Sequence, residues 1–140
     1  MPPLHSIPAR LAQISLVLMA LLSLSACMTG PRFANLEARV VSDEPLDLPP
    51  NAQLSVRLDD MSSSGASLIA EGNYIRLGHG PIPVMLRYDS KAIDEDDAYA
   101  LRADIHANGK LVYTSPEPVP VLTGDAPATN VDIPVERVAR

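Results

Sequence analysis

The side chains of this chain that could do chemistry are Cys27, His79, His106, the acidic run Asp94-Glu95-Asp96-Asp97, the pair Asp59-Asp60 and the triplet Ser62-Ser63-Ser64. Four successive carboxylates suit a hard cation such as calcium. The EF-hand spacing with its central glycine and closing glutamate is absent, so the spacing favours a solvated surface loop. His79 and His106 have no further His or Cys at zinc-ligand spacing. The serine triplet lacks a G-x-S-x-G elbow and an evident base. Asp59 and Asp60 are adjacent, and on a strand they point to opposite faces, which rules out an acid/base pair. Asp60 is better suited to accept bonds from the loop backbone, with Ser62 in the same turn. Tryptophan is absent and aromatics make up 4% of the chain, which argues against a stacking platform for sugars or bases. No catalytic, cofactor or metal site is expected, and the chain reads as non-enzymatic.

Cys27 needs its own explanation, because it is the only cysteine. Ahead of it stand Arg10, the only formal charge of the segment, and an apolar run from Leu11 to Leu22. Basic start, short apolar middle and small residues before a cut make a secretory signal peptide. The run falls short of the roughly 20 residues that a spanning helix needs. Leu24-Ser25-Ala26-Cys27 resembles the lipobox of bacterial lipoproteins. That resemblance implies cleavage before Cys27, a diacylglycerol on its thiol and an acyl chain such as palmitate on the new N-terminus. The competing reading is an ordinary A-x-A-like cleavage followed by a stray buried cysteine. Met28 is not the Asp that resembles an inner-membrane retention signal, so the expected address is the outer membrane, facing the periplasm. The chain therefore divides into a signal peptide (1–26), a lipidated cysteine and tether (27–35), and a domain (36–140). Fully stretched, residues 28–35 span at most roughly 26–29 Å, which holds the domain close to its membrane.

Composition narrows the class further. The chain has 140 residues and a net charge of −6, with no basic footprint for nucleic acid and no polybasic patch for anionic lipid. A single cysteine excludes an intramolecular disulfide, so packing alone must hold the fold. The 14 prolines are about twice the usual share, and each removes a backbone donor. Such spacing leaves room for short strands and little for long helices.

Period-2 alternation then recurs along the chain. It marks Leu36–Val41, Leu54–Asp59, Pro83–Tyr88, Tyr99–Ile105 and Lys110–Thr114, followed by short runs at Val119–Thr123 and Val131–Val135. Ser67–Leu77 is ambiguous: two extended pieces with a tight turn or bulge at Gly72-Asn73, or a helical turn. Asn108-Gly109 between two alternating runs is the strongest hairpin signal. The pattern predicts an all-β fold, an antiparallel β-sandwich (or small barrel) of about seven or eight short strands. Leu54, Val56, Leu58, Tyr99, Leu101, Ile105, Leu111 and Tyr113 are expected on its inner faces. Pro118 and Pro120 cannot donate to a neighbour, so Val119 and Val121 are expected on an edge strand able to dock a partner.

Three ordered blocks carry a family resemblance. The first is Leu48-Pro49-Pro50-Asn51-Ala52-Gln53 through Leu58-Asp59-Asp60-Met61-Ser62. The second runs from Pro83-Val84 through Tyr88-Asp89 to Ile93-Asp94. The third joins Tyr99–Ile105, Gly109–Thr114 and Pro120-Val121-Leu122-Thr123. Together they resemble the YbaY/YscW-like family of small lipoproteins, which includes the type III secretion lipoprotein chaperones, or pilotins. The resemblance implies a compact β-sandwich hung from a lipid and transfers no catalytic residue. Some members hold an outer-membrane secretin and help it assemble; others are general envelope lipoproteins. The expected function is to bind or chaperone another envelope protein, with a secretin as the candidate partner and no cofactor. The alternative is a general or stress-related envelope lipoprotein acting on cell-wall or surface glycan.

Overall fold

The computed structural model describes residues 13–14, 16–19, 30–62 and 66–139. Residues 13–14 and 16–19 are helical. Among the described residues no helix is long and apolar enough to cross a membrane. The lipobox Leu24-Ser25-Ala26-Cys27 lies outside the described residues, as do Ser63 and Ser64. Arg32–Arg140 forms one compact unit.

That unit is an all-β sandwich, with nine strands among the described residues. They are β1 (Phe33–Val41), β2 (Gln53–Asp60), β3 (Ser67–Tyr74), β4 (Ile82–Asp89), β5 (Tyr99–Ala107), β6 (Lys110–Thr114), β7 (Val119–Val121), β8 (Val131–Pro134) and β9 (Glu136–Arg137). A single 3-10 turn, Ser90–Ala92, follows β4. The larger sheet runs β3-β2-β5-β6-β9, with β7 also on β5, and the smaller runs β4-β1-β8. Among the described residues every pairing is antiparallel except β1 with β8, which is parallel from Ala38↔Val131 to Val41↔Pro134. A parallel neighbour needs a long crossover, and here the other strands supply it.

Alternation puts one face of each strand into a shared core. Leu54, Val56 and Leu58 of β2 and Ala103 and Ile105 of β5 are fully buried against Leu36, Val40 and Ile133 of the facing sheet. Burying one such aliphatic side chain contributes about 1.5–3 kcal/mol, so this layer holds a fold that has no disulfide to help it. The β5–β6 hairpin turns at Asn108 (φ 54°) and Gly109 (φ 76°). Both are left-handed, as a two-residue turn matched to the strand twist requires.

Three details differ from the sequence pattern. Ser67–Tyr74 is one strand, and its irregularity sits opposite Leu58 and Asp59 instead of at Gly72-Asn73. Gly72 serves another purpose: a Cβ there would lie 2.7 Å from the Tyr74 hydroxyl, whose ring folds back over it. Leu111 is 39% exposed and not a core residue. The register steps from Ile105↔Tyr113 to His106↔Leu111, so Val112 is an extra residue and alternation reverses. Strand β1 begins at Phe33, three residues ahead of the patterned run, because Phe33 and Asn35 extend its outer face opposite Asp89 and Arg87.

Candidate partner-binding surface

The chemically capable side chains are scattered by this fold. His106 stands on the exposed face of β5. His79 sits in the turn before β4, where its Nδ1 lies 3.3 Å from the Leu46 carbonyl oxygen. Among the described residues, no three His, Cys, Asp or Glu side chains are placed to hold a metal ion. Ser62 is a loop fastener: its N–H donates to Asp60 Oδ1 (2.9 Å) and its Oγ accepts from the Ala98 N–H (2.6 Å). Asp59 is buried on β2, with Arg57 the nearest cation at 3.6 Å. Its Oδ1 makes no hydrogen bond.

The acidic run lies on the connection from β4 to β5. Asp94 accepts from the Asp96 N–H (3.0 Å) and donates its own N–H to the Tyr99 hydroxyl (2.8 Å). Partial burial, followed by the negative charges of Asp60, Asp94 and Asp96, raises the Asp97 carboxyl above its ordinary range. This end of the sandwich is therefore densely anionic.

Beside it runs the strand that the proline spacing marked. β7 pairs with β5 through Tyr99↔Val121, Ala100↔Pro120 and Leu101↔Val119. Among the described residues no strand pairs with its other side. Val119 is half-buried, Pro120 exposed and Val121 buried at 1% exposure. The Val121 side chain belongs to the core; what β7 leaves open is its outer backbone edge, Pro120 and part of Val119.

β7 leads straight into a depression of about 620 Å³ lined by Tyr88, Ser90, Ile93, Leu122, Thr123 and Ala128, among others. Leu122 has a φ of +72°, and the Thr123 N–H donates to the Val121 carbonyl oxygen (2.9 Å) across it. That is a γ-turn of the strained hand, held because the surroundings over-determine it. The Leu122 N–H donates to Pro127 (3.1 Å), and the Thr123 hydroxyl donates to the Asp97 carbonyl oxygen (2.8 Å). The loop after β7 is thus pinned to the acidic connection, and the two form the walls of the depression. Sequence reading missed this feature, since a leucine carries no mark of a left-handed backbone.

An open strand edge ending in a half-apolar depression can take an extended or helical peptide segment: main-chain groups pair along the edge and side chains fill the hollow.

No curated protein matches the chain. A solved structure described as an alternative pilotin from the type II secretion system of Vibrio cholerae is similar to it with a TM-score of 0.72 and 29% identity. The likeness covers 78% of this chain and 100% of that one. A family model described as type III secretion system lipoprotein chaperone (YscW) matches residues 32–133. That match spans the sandwich from β1 into β8, and the chain belongs to the YscW family of type III secretion system lipoprotein chaperones.

Proposed function

We propose that this chain is a non-enzymatic chaperone of an outer-membrane secretin, anchored through acyl chains on Cys27 to the periplasmic side of the outer membrane. The observation that carries the reading is the family match across nearly the whole sandwich, supported by likeness to a pilotin. The open edge of β7 and the depression beside it are the docking place. A secretin segment lies along β7 and sets an apolar side chain between Tyr88, Ile93 and Leu122. The signal peptide is residues 1–26, and the segment from Cys27 to the start of β1 is the tether.

Two measurements test this. Cys27→Ser leaves an uncut or soluble protein, and the secretin no longer reaches its membrane; normal processing and membrane fractionation of that variant overturn the anchor. Cysteines placed at Val119 and Pro120, whose side chains are accessible, cross-link to the secretin in native envelopes. Capture of no protein, together with retention of glycan by the purified domain, overturns the chaperone in favour of a glycan-directed envelope lipoprotein.

A further inference from the structure

The outer face of the three-stranded sheet carries a patch that the docking edge does not use. Phe33 on β1 is 55% exposed and Met85 on β4 is 54% exposed. Pairing of Asn35 with Arg87, Glu37 with Met85 and Arg39 with Pro83 puts these side chains on one surface. The Arg87 guanidinium stands 4.2 Å from the centre of the Phe33 ring. Among the described residues no carboxylate forms an ion pair with Arg87, whereas Arg39 is paired with Asp132 at 2.8 Å. The face thus offers two large apolar side chains and the Arg87 cation, with Glu37 opposite Met85 and Asp89 opposite Phe33 as its carboxylates.

Its position in the chain indicates what covers it. Phe33 is six residues beyond Cys27, so the chain between them reaches at most about 20–22 Å. A lipid on Cys27 keeps this corner of the sandwich within that distance of the bilayer. An aromatic ring with a guanidinium over it suits the headgroup layer, where the ring meets acyl chains and the cation meets phosphate.

We propose that this face rests on the phospholipid surface, with Phe33 and Met85 entering the headgroup layer and Arg87 against lipid phosphate. The proposal rests on acylation of Cys27. The acyl chains tether the domain, and this face orients it.

The chain has no tryptophan, so single replacements report without background. Mature acylated Phe33→Trp, Met85→Trp, Leu111→Trp and Glu95→Trp variants are reconstituted in phosphatidylethanolamine/phosphatidylglycerol vesicles containing brominated lipid. Mass spectrometry verifies the acyl chains first. The expected result is blue-shifted, strongly quenched emission at positions 33 and 85 and water-like emission at 111 and 95. Adding Arg87→Gln to Met85→Trp lowers the quenching about twofold. Quenching that is equal at all four positions, or confined to position 95, overturns the orientation while the anchor stands. An unacylated Cys27 overturns the anchor and this proposal with it.

Discussion

Ser115 closes a gap in the larger sheet by serving both backbone groups of Ala103. Its Oγ accepts from the Ala103 N–H at 2.8 Å and donates to the Ala103 carbonyl oxygen at 3.2 Å. On this side of β5, β6 ends at Thr114 and β7 begins at Val119, so among the described residues no strand covers Ala103. Both residues are buried. Ser115→Ala strips the hydroxyl and leaves a buried N–H unsatisfied. The expected loss is about 1–3 kcal/mol in urea unfolding, whereas Ser115→Thr retains the bonding groups and loses less.

The Tyr74 hydroxyl donates to the Met85 carbonyl oxygen at 2.8 Å and so ties the margin of one sheet to that of the other. Gly72 makes room for the ring. Gly72→Ala displaces the ring and breaks the tie, at a net cost of about 1 kcal/mol. In a Tyr74→Ala background the same change costs nothing or stabilises, because alanine restricts the unfolded chain more than glycine. A double-mutant cycle with a coupling near zero refutes the steric link.

The turn glycine has a simpler cost. Gly109 adopts φ 76° with open space where a Cβ would stand. Gly109→Ala therefore carries only the left-handed penalty, about 1–2 kcal/mol. Thermal unfolding that matches wild type contradicts the turn geometry.

Asp97 gives the fold a pH dependence of definite sign. Its folded value is raised from 3.8, so folding favours the protonated acid. That advantage is present at low pH and is lost as pH climbs through the raised value, leaving a penalty at neutrality. Asp97→Asn is expected to be more stable than wild type at pH 7, with the difference vanishing below 3.8. A difference that grows on acidification reverses the assignment.

Much of this architecture is written locally. The alternation of Leu54, Val56 and Leu58 is enough to place β2, and Asn108-Gly109 alone specifies the hairpin. Pro118 and Pro120 marked β7 as marginal because a missing donor is a property of the residue itself. Other features depend on partners far along the chain. Gly72 looks like turn punctuation until Tyr74 is seen lying over it. Leu111 alternates correctly with Tyr113, and only the pairing with β5 shows that Val112 is an extra residue. The depression beside β7 was unreadable for the same reason: the backbone of Leu122 is set by Pro127 and Val121, and its opposite wall comes from residues 88–95.

The parallel pairing of β1 with β8 has a consequence for how the chain reaches its fold. Ala38 pairs with Val131, so one flank of β1 is covered only by a strand from near the far end of the sandwich. Closing so long a loop costs entropy before any contact repays it. Of the strand pairings in the sandwich, β1 with β8 therefore carries the largest loop-closure cost. Until β8 docks, the edge of β1 from Ala38 to Val41 is an unpaired, adhesive one on which misassembly with other chains begins.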